Sequence, residues 1–322
     1  MAGSEQVPQD AVHSRALGVD LDLPGPSLGL PPDSGRAGRR SSRFAYVSDR
    51  DAEERWAPAA PVRIVDRKGG DTQLMTVDSD QELGYRYWGR GFGHCLISPD
   101  GSEVLCCPET ADVNLWQRFV IGQILPFVAP LQGLEVMHGS AVEIDGGAVA
   151  CLCGSGGGKS SLAAQFMLRG APLITDDVLS LEREGGSVMV HPGPRAIGIR
   201  HREADRLGPA ALAELGPAVA RNEKEVVVAP GRAARKAPLV ALYFIRRQRE
   251  AAELRWEPTR SPELLLGSTF NTVLKSPGRM ERMLDVCLGI SETAATTVVS
   301  VPPDLDADGL AEAILGHLES GP

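Results

Sequence analysis

The chain has 322 residues, a formal net charge of −9 and a pI near 5.3, with 43% hydrophobic and 5% aromatic residues. Its length allows a sizeable core and two domains, at about 100 to 200 residues per domain. The acidic balance and the scarcity of stacking rings argue against a nucleic-acid partner.

Residues 1–15 read as a flexible tail; MAGSEQVPQDAVHSR lacks the basic-then-apolar pattern of a secretory signal, and a cytoplasmic protein is expected. Residues 16–112 read as a smaller β-rich N-terminal domain. Within it, residues 23–43 (LPGPSLGLPPDSGRAGRRSSR) form a Pro/Gly/Ser-rich loop, whose arginines Arg36, Arg39, Arg40 and Arg43 read as solvated. Turn signals at Lys68-Gly69-Gly70, Gly91-Phe92-Gly93 and Pro99-Asp100-Gly101 punctuate short strands up to Glu109. Tyr85, Tyr87 and Trp88 read as packing residues.

Residues 113–322 are expected to form the second domain. LWQRFVIGQILPFVAPLQGLEV, residues 115–136, is the most apolar stretch, but Arg118, Gln123, Pro126, Pro130, Gln132 and Glu135 interrupt it. A membrane span needs roughly 20 mainly apolar residues. The stretch therefore reads as a buried helix ending near Pro126, and no membrane association is expected. SAVEI and AVACLC flank Asp145-Gly146-Gly147 as a hairpin, and residues 178–193 repeat that form. PLVALYFIRRQ, residues 238–248, reads as a buried strand. Helices are expected from Ser261-Pro262-Glu263, from Ser276-Pro277 and from Asp306 to Leu318. The six cysteines show neither C-x-x-C nor zinc spacing and read as reduced thiols, with Cys151 and Cys153 as small hydrophobes on a strand.

The chemistry concentrates in AVACLCGSGGGKSSLAAQFMLRGAPLITDD, residues 148–177. A polyphosphate needs several backbone N–H groups converging on one anion, so side chains must be absent where the loop wraps. Gly154, Gly156, Gly157 and Gly158 meet that need, with Ser155 between them. Lys159 can reach phosphate oxygens, Ser160 can ligate Mg²⁺, and the helix opening with Ser160 and Ser161 points its positive end at the phosphates. Leu162, Ala163, Phe166 and Met167 recur at helical spacing, and Gly170 marks the stop. The pattern G-x-x-x-x-G-K-[ST] wants glycine where this chain has Cys153. Asp176 and Asp177 repel unless a cation or a proton relieves them, which suggests a shared Mg²⁺ and a base; the bland alternative is an exposed turn with an Asx cap.

The order His-Gly, hairpin, glycine loop, helix ending in Arg-Gly and double aspartate in HGSAVEIDGGAVACLCGSGGGKSSLAAQFMLRGAPLITDD resembles the HPr kinase/phosphorylase superfamily, which is related to ATP-dependent phosphoenolpyruvate carboxykinases. More specifically, the chain looks like the shorter HPr-kinase-like proteins, some of which sit in lasso-peptide and related peptide biosynthetic pathways and phosphorylate a peptide serine. ALGVDLDLPG near the start, HPGPRAIGIR and PLVALYFIRR extend the likeness more loosely. The fold this implies is α/β: a P-loop core with a mixed, hairpin-rich sheet and flanking helices, beside the smaller β-rich domain. The implied activity is Mg-ATP-dependent transfer of the γ-phosphoryl group to a serine of a peptide or small protein. By the same resemblance ATP sits on residues 154–161, Asp176 is the base, Ser160 and Asp177 hold Mg²⁺, and His138 orients Asp176.

Phosphoryl transfer wants one further cation. Arg195 is the first candidate, and Arg200, Arg221 and Lys224 are others. The E-[IL]-R-G-x-G segment of true HPr kinases is missing, which weakens HPr as acceptor and any inference of phosphorolysis or hexamers, and leaves homo-oligomerisation open. A nucleotide-binding regulatory module without turnover, or a kinase acting on a small metabolite, are the alternatives.

Overall fold

The computed structural model describes residues 12–25, 27–33, 38–154, 156–222, 224–231 and 234–321. It is a mixed α/β protein whose chain divides into two compact units, 1–133 and 134–322. The helices that follow residue 112 up to Gly133 thus group with the first unit.

In the first unit β1 (Val12–Ala16) pairs antiparallel with β2 (Val19–Leu23), so the last residues of the expected tail belong to a sheet. β3 (Ser41–Tyr46) follows the Pro/Gly-rich stretch, and α1 (Asp49–Trp56) starts at the Ser48 cap. A meander then runs through β4 (Val62–Gly69), β5 (Thr72–Asp80), β6 (Gly84–Gly89), β7 (Gly93–Ile97) and β8 (Glu103–Pro108). The resulting eight-stranded sheet has the order β1-β2-β3-β8-β7-β6-β5-β4, parallel at β2–β3 and β3–β8. Tyr85 and Tyr87 pack edge-on against Phe127 at 5.1 and 5.5 Å between ring centres.

The apolar helix does not end at Pro126. α2 (Val113–Phe119) passes through a π-helical turn at Val120–Ile124 into α3 (Leu125–Leu131), which carries both prolines. A proline lacks the N–H that an α-helix would use, but at the start of a new helical segment that donor is dispensable. The π turn resets the hydrogen bonding just before Pro126, so the chain stays helical. Among the described residues no helix is long and apolar enough to cross a membrane.

The second unit begins with the hairpin β9 (Glu135–Ile144) and β10 (Gly147–Leu152), followed by α4 (Lys159–Leu168) and β11 (Leu173–Thr175). β12 (Val178–Glu184) and β13 (Ser187–His191) make the second hairpin. A three-stranded side sheet follows from β14 (Ile197–Arg200), β15 (Ala218–Arg221) and β16 (Glu225–Val228), with α5 (His201–Leu215) between its first two strands. β17 (Ala237–Arg247), β18 (Arg255–Pro258), α6 (Pro262–Leu266), α7 (Pro277–Thr293), β19 (Ala295–Val301) and α8 (Ala307–Glu319) complete the chain.

The main sheet has the order β10-β9-β12-β13-β17-β19-β18, with β11 on β9, and is parallel at β10–β17 and β17–β19. Strands buried on both faces need apolar residues at every position, which is why AVACL and ALYFI show no polar alternation. Parity decides the layer. Val149, Cys151, Tyr243 and Ile245 face a core shared with α4, α5 and α8, whereas Ala150, Leu152, Leu242 and Phe244 face one shared with α6 and α7. Leu162 and Phe166 anchor α4 in the first of these, each stabilising by about 2 kcal/mol.

Candidate functional site

β10 ends at Leu152 and hands the chain into the glycine loop; Ser155 lies outside the described residues. Gly158, at φ 94°, sits in the left-handed region immediately before α4, where a side chain would be strained. Gly157 donates its N–H to the Gly154 carbonyl at 3.0 Å, so the loop is partly closed on itself. A Cβ at Gly157 would fall 2.6 Å from Cys153 Sγ, which shows that the cysteine side chain tucks inside the loop. No side chain caps α4, and the first-turn amides of a helix have no intrahelical acceptor.

Lys159 is only 7% exposed. Its ammonium donates to the Cys153 carbonyl at 3.1 Å and lies 2.8 Å from His138 Nε2. An ammonium cannot accept, so His138 Nε2 must be the unprotonated nitrogen and Nδ1 carries the hydrogen. Nδ1 is buried without a hydrogen-bond partner among the described residues, and the nearby Asp177 Oδ1 is 3.5 Å away. Burial pushes the His138 pKa below its usual value; Asp177 opposes that shift, and the neighbouring Lys159 reinforces it. The ring also meets the edge of Phe270, 5.1 Å between centres.

His138 and Ser140, two residues apart on β9, share a face of the strand. Ser140 Oγ donates to Asp176 Oδ1 at 2.5 Å and accepts the Asp177 N–H at 3.4 Å. Ser160 Oγ donates to the same Asp176 oxygen at 3.0 Å, and Gly198 N–H reaches Oδ2 at 3.4 Å. Burial raises the Asp176 pKa to about 6, the Asp177 charge adds to the rise, and the two serine hydroxyls work against it. Asp177 has φ 70° and a side chain 57% exposed. Its left-handed backbone turns it away from the pocket that holds Asp176.

Lys159, His138, Ser160, Asp176 and Asp177 are thus brought together, with Gly154, Gly156, Gly157 and Gly158 beside them and Ser161 half-buried in the first turn of α4. Arg195 is not part of the cluster: it is exposed and has no hydrogen bond or ion pair with these residues. Arg200, one of the other cations considered, is the one at the loop, its guanidinium 3.6 Å from where a Gly156 Cβ would stand. Arg221 and Lys224 are exposed. Ser140 escaped the sequence reading, although its two-residue spacing from His138 on a strand was the available signal. A cleft of 520 Å³ opens beside the loop, lined among others by His138, Cys153, Gly154, Arg246 and Phe270.

No family model matches the chain, and no curated protein matches it. Among solved structures, the HPr(Ser) kinase/phosphatase from Coxiella burnetii is similar at 12% identity and a TM-score of 0.34, over 57% of this chain and 90% of its own.

Proposed function

We propose that the chain is a Mg-ATP-dependent kinase that transfers the γ-phosphoryl group to a serine hydroxyl of a peptide or small protein, with residues 153–161 acting as its P-loop. The observation that carries this reading is the 3.0 Å contact between Ser160 Oγ and Asp176 Oδ1. A hydroxyl and a carboxylate at that separation are a hard-oxygen pair suited to Mg²⁺. The loop fits the nucleotide too: a Cβ at Gly154 or Gly158 would meet open space, leaving the outer side of the loop clear for phosphate.

In this reading ATP supplies the phosphoryl group and Mg²⁺ neutralises its charge. The first-turn amides of α4 and Lys159 bind the phosphates, with Arg200 rather than Arg195 as the further cation. Ser160 and Asp176 hold the metal. Asp177 takes the proton of the acceptor hydroxyl, and His138 Nδ1–H, buried without a hydrogen-bond partner among the described residues, lies 3.5 Å from that carboxylate, where a small approach would let it orient the base. This reverses the roles that the family resemblance implied for the two aspartates. The support is that Asp176 shares its oxygen with Ser160, while Asp177 is exposed and faces His138. The six free cysteines suit a reducing, cytoplasmic setting.

A second reading, nucleotide binding without turnover, draws on the Cys153 side chain inside the loop and on the Gly157 N–H already bonded within it. Incubation with labelled ATP, Mg²⁺ and serine-containing precursor peptides, read by intact mass, separates the two. Phosphopeptide formed by the wild type but not by Lys159→Ala supports the kinase; equal silence of both, with ATP bound by the wild type, supports the second reading. Asp177→Asn should keep Mg-nucleotide binding and lose transfer, and Asp176→Asn should lose the Mg²⁺ dependence of binding. The opposite pattern would restore the family's assignment.

A further inference from the structure

The first unit contains a cleft of 700 Å³ that plays no part in the reading above. Its floor is apolar and buried, made by Phe44, Cys106, Trp116 and Val120. Tyr46, whose phenol takes a hydrogen bond from the Trp116 indole, forms one wall with its ring partly open to solvent. Concave, mainly apolar cavities of about 300–1,000 Å³ with a few polar groups are the usual seats of small organic ligands.

The rim has one sign of charge. Asp49 and Glu109 both line the opening, and no lysine, arginine or histidine does so among the described residues. Asp49 is 81% exposed, and His94 Nδ1 stands 3.8 Å from its carboxylate. Burial, helped by the Arg86 charge, pushes the His94 pKa down, while Asp49, Glu53 and Glu109 oppose that shift; the His94 ring is itself buried, whereas the Asp49 carboxylate is open to solvent. Glu109 accepts a hydrogen bond from the Trp88 indole at 3.2 Å, which orients the carboxylate without neutralising it. Several of the other polar groups are already engaged: Gln117 Oε1 accepts the Leu28 N–H, Ser48 caps α1, and Thr110 Oγ1 accepts the Asp112 N–H.

We propose that this cleft binds a small organic ammonium, with an aromatic or branched hydrocarbon body on the Phe44/Trp116 floor and its cationic end between Asp49 and Glu109. The aromatic wall adds to the attraction, because a ring face favours a nearby cation. An anion of the same shape would meet the same floor and a repulsive rim.

Calorimetric titration with 4-phenylbutylamine and with 4-phenylbutyrate tests this on the full chain. The bodies are alike and the charges opposite. Two exposed carboxylates should favour the amine over the acid by roughly tenfold. Asp49→Asn/Glu109→Gln should bring the two affinities together, and Val113→Trp, an exposed lining position on α2, should block both. Equal binding of the acid, no binding of either probe, or amine binding unchanged by Val113→Trp would overturn the proposal. Lys159→Ala should leave amine binding intact, so failure here and failure of the kinase reading are separate results.

Discussion

Glu135 and Arg279, 144 residues apart, form the most deeply buried ion pair among the described residues, 1% and 3% exposed. Arg279 Nη2 lies 2.7 Å from Glu135 Oε1, and its Nε lies 3.3 Å from Oε2, a two-pronged contact. The same guanidinium donates to the carbonyls of Phe270, Asn271 and Leu274, so it ties the turn before α7 to the first residue of β9. Replacing one partner leaves the other charged and buried, which typically costs about 3–5 kcal/mol. Arg279→Met should therefore lower unfolding free energy in urea by about that amount, with Glu135→Leu close behind. The double variant should cost less than the two singles together, by about 2 kcal/mol, because it leaves no isolated charge. Singles below about 1 kcal/mol, or a cycle that adds without coupling, would refute the claim that desolvated charge governs this contact. Phe270 sits in the tethered turn against His138, so Arg279→Met should also weaken any activity that depends on His138.

Three further outcomes are expected. Asp176 is held at a pKa of about 6 against an ordinary 3.8, so its ionised form opposes folding and stability should fall as pH rises from about 4 to 6. In metal-free protein Asp176→Asn should then be the more stable form at pH 7.5, by up to about 3 kcal/mol, with the gap narrowing toward pH 4.5; equal gaps at both pH values in urea titrations would count against it. A Cβ at Gly193 would fall 2.1 Å from Thr175 Oγ1, just before Asp176, so Gly193→Ala should cost about 1–3 kcal/mol by chemical denaturation and reduce Mg²⁺-dependent nucleotide binding. Cys153→Gly removes the side chain from inside the loop and should tighten ATP binding severalfold; weaker binding by calorimetry would show that the cysteine supports the loop.

Features written in adjacent residues were legible in the sequence. The two hairpins of the second unit, the double-sided burial of β10 and β17, the glycine loop running into α4 and the proline-started helices all follow from periods and turn signals within a dozen residues. What depends on register was not legible. Ser140 reaches Asp176 because β9 pairs with β10, β11 and β12 together, and nothing in its own neighbourhood announces a carboxylate partner. Arg200 and Arg195 lie in one short segment, and only the placement of β14 decides which of them meets the loop. The π turn before Pro126 escaped for another reason: a proline signals a helix end unless the preceding turn has already changed its bonding, and that change leaves no mark in composition.

The two aspartates show how a single backbone angle divides chemistry between neighbours. In an extended strand successive side chains point to opposite faces, but both would remain beside the sheet. The left-handed conformation of Asp177 instead sends it outward, while its N–H stays on Ser140. Asp and Asn tolerate that region better than other non-glycine residues, so the second position of the pair is the one that can bear the turn. Asp176 is left enclosed by two hydroxyls and a backbone N–H, whose hydrogen bonds only partly offset the burial that raises its pKa, and the same enclosure screens it from an incoming hydroxyl. Asp177, open to solvent and facing His138, has the access that a proton acceptor needs, and that asymmetry is the physical ground for the division of roles proposed above.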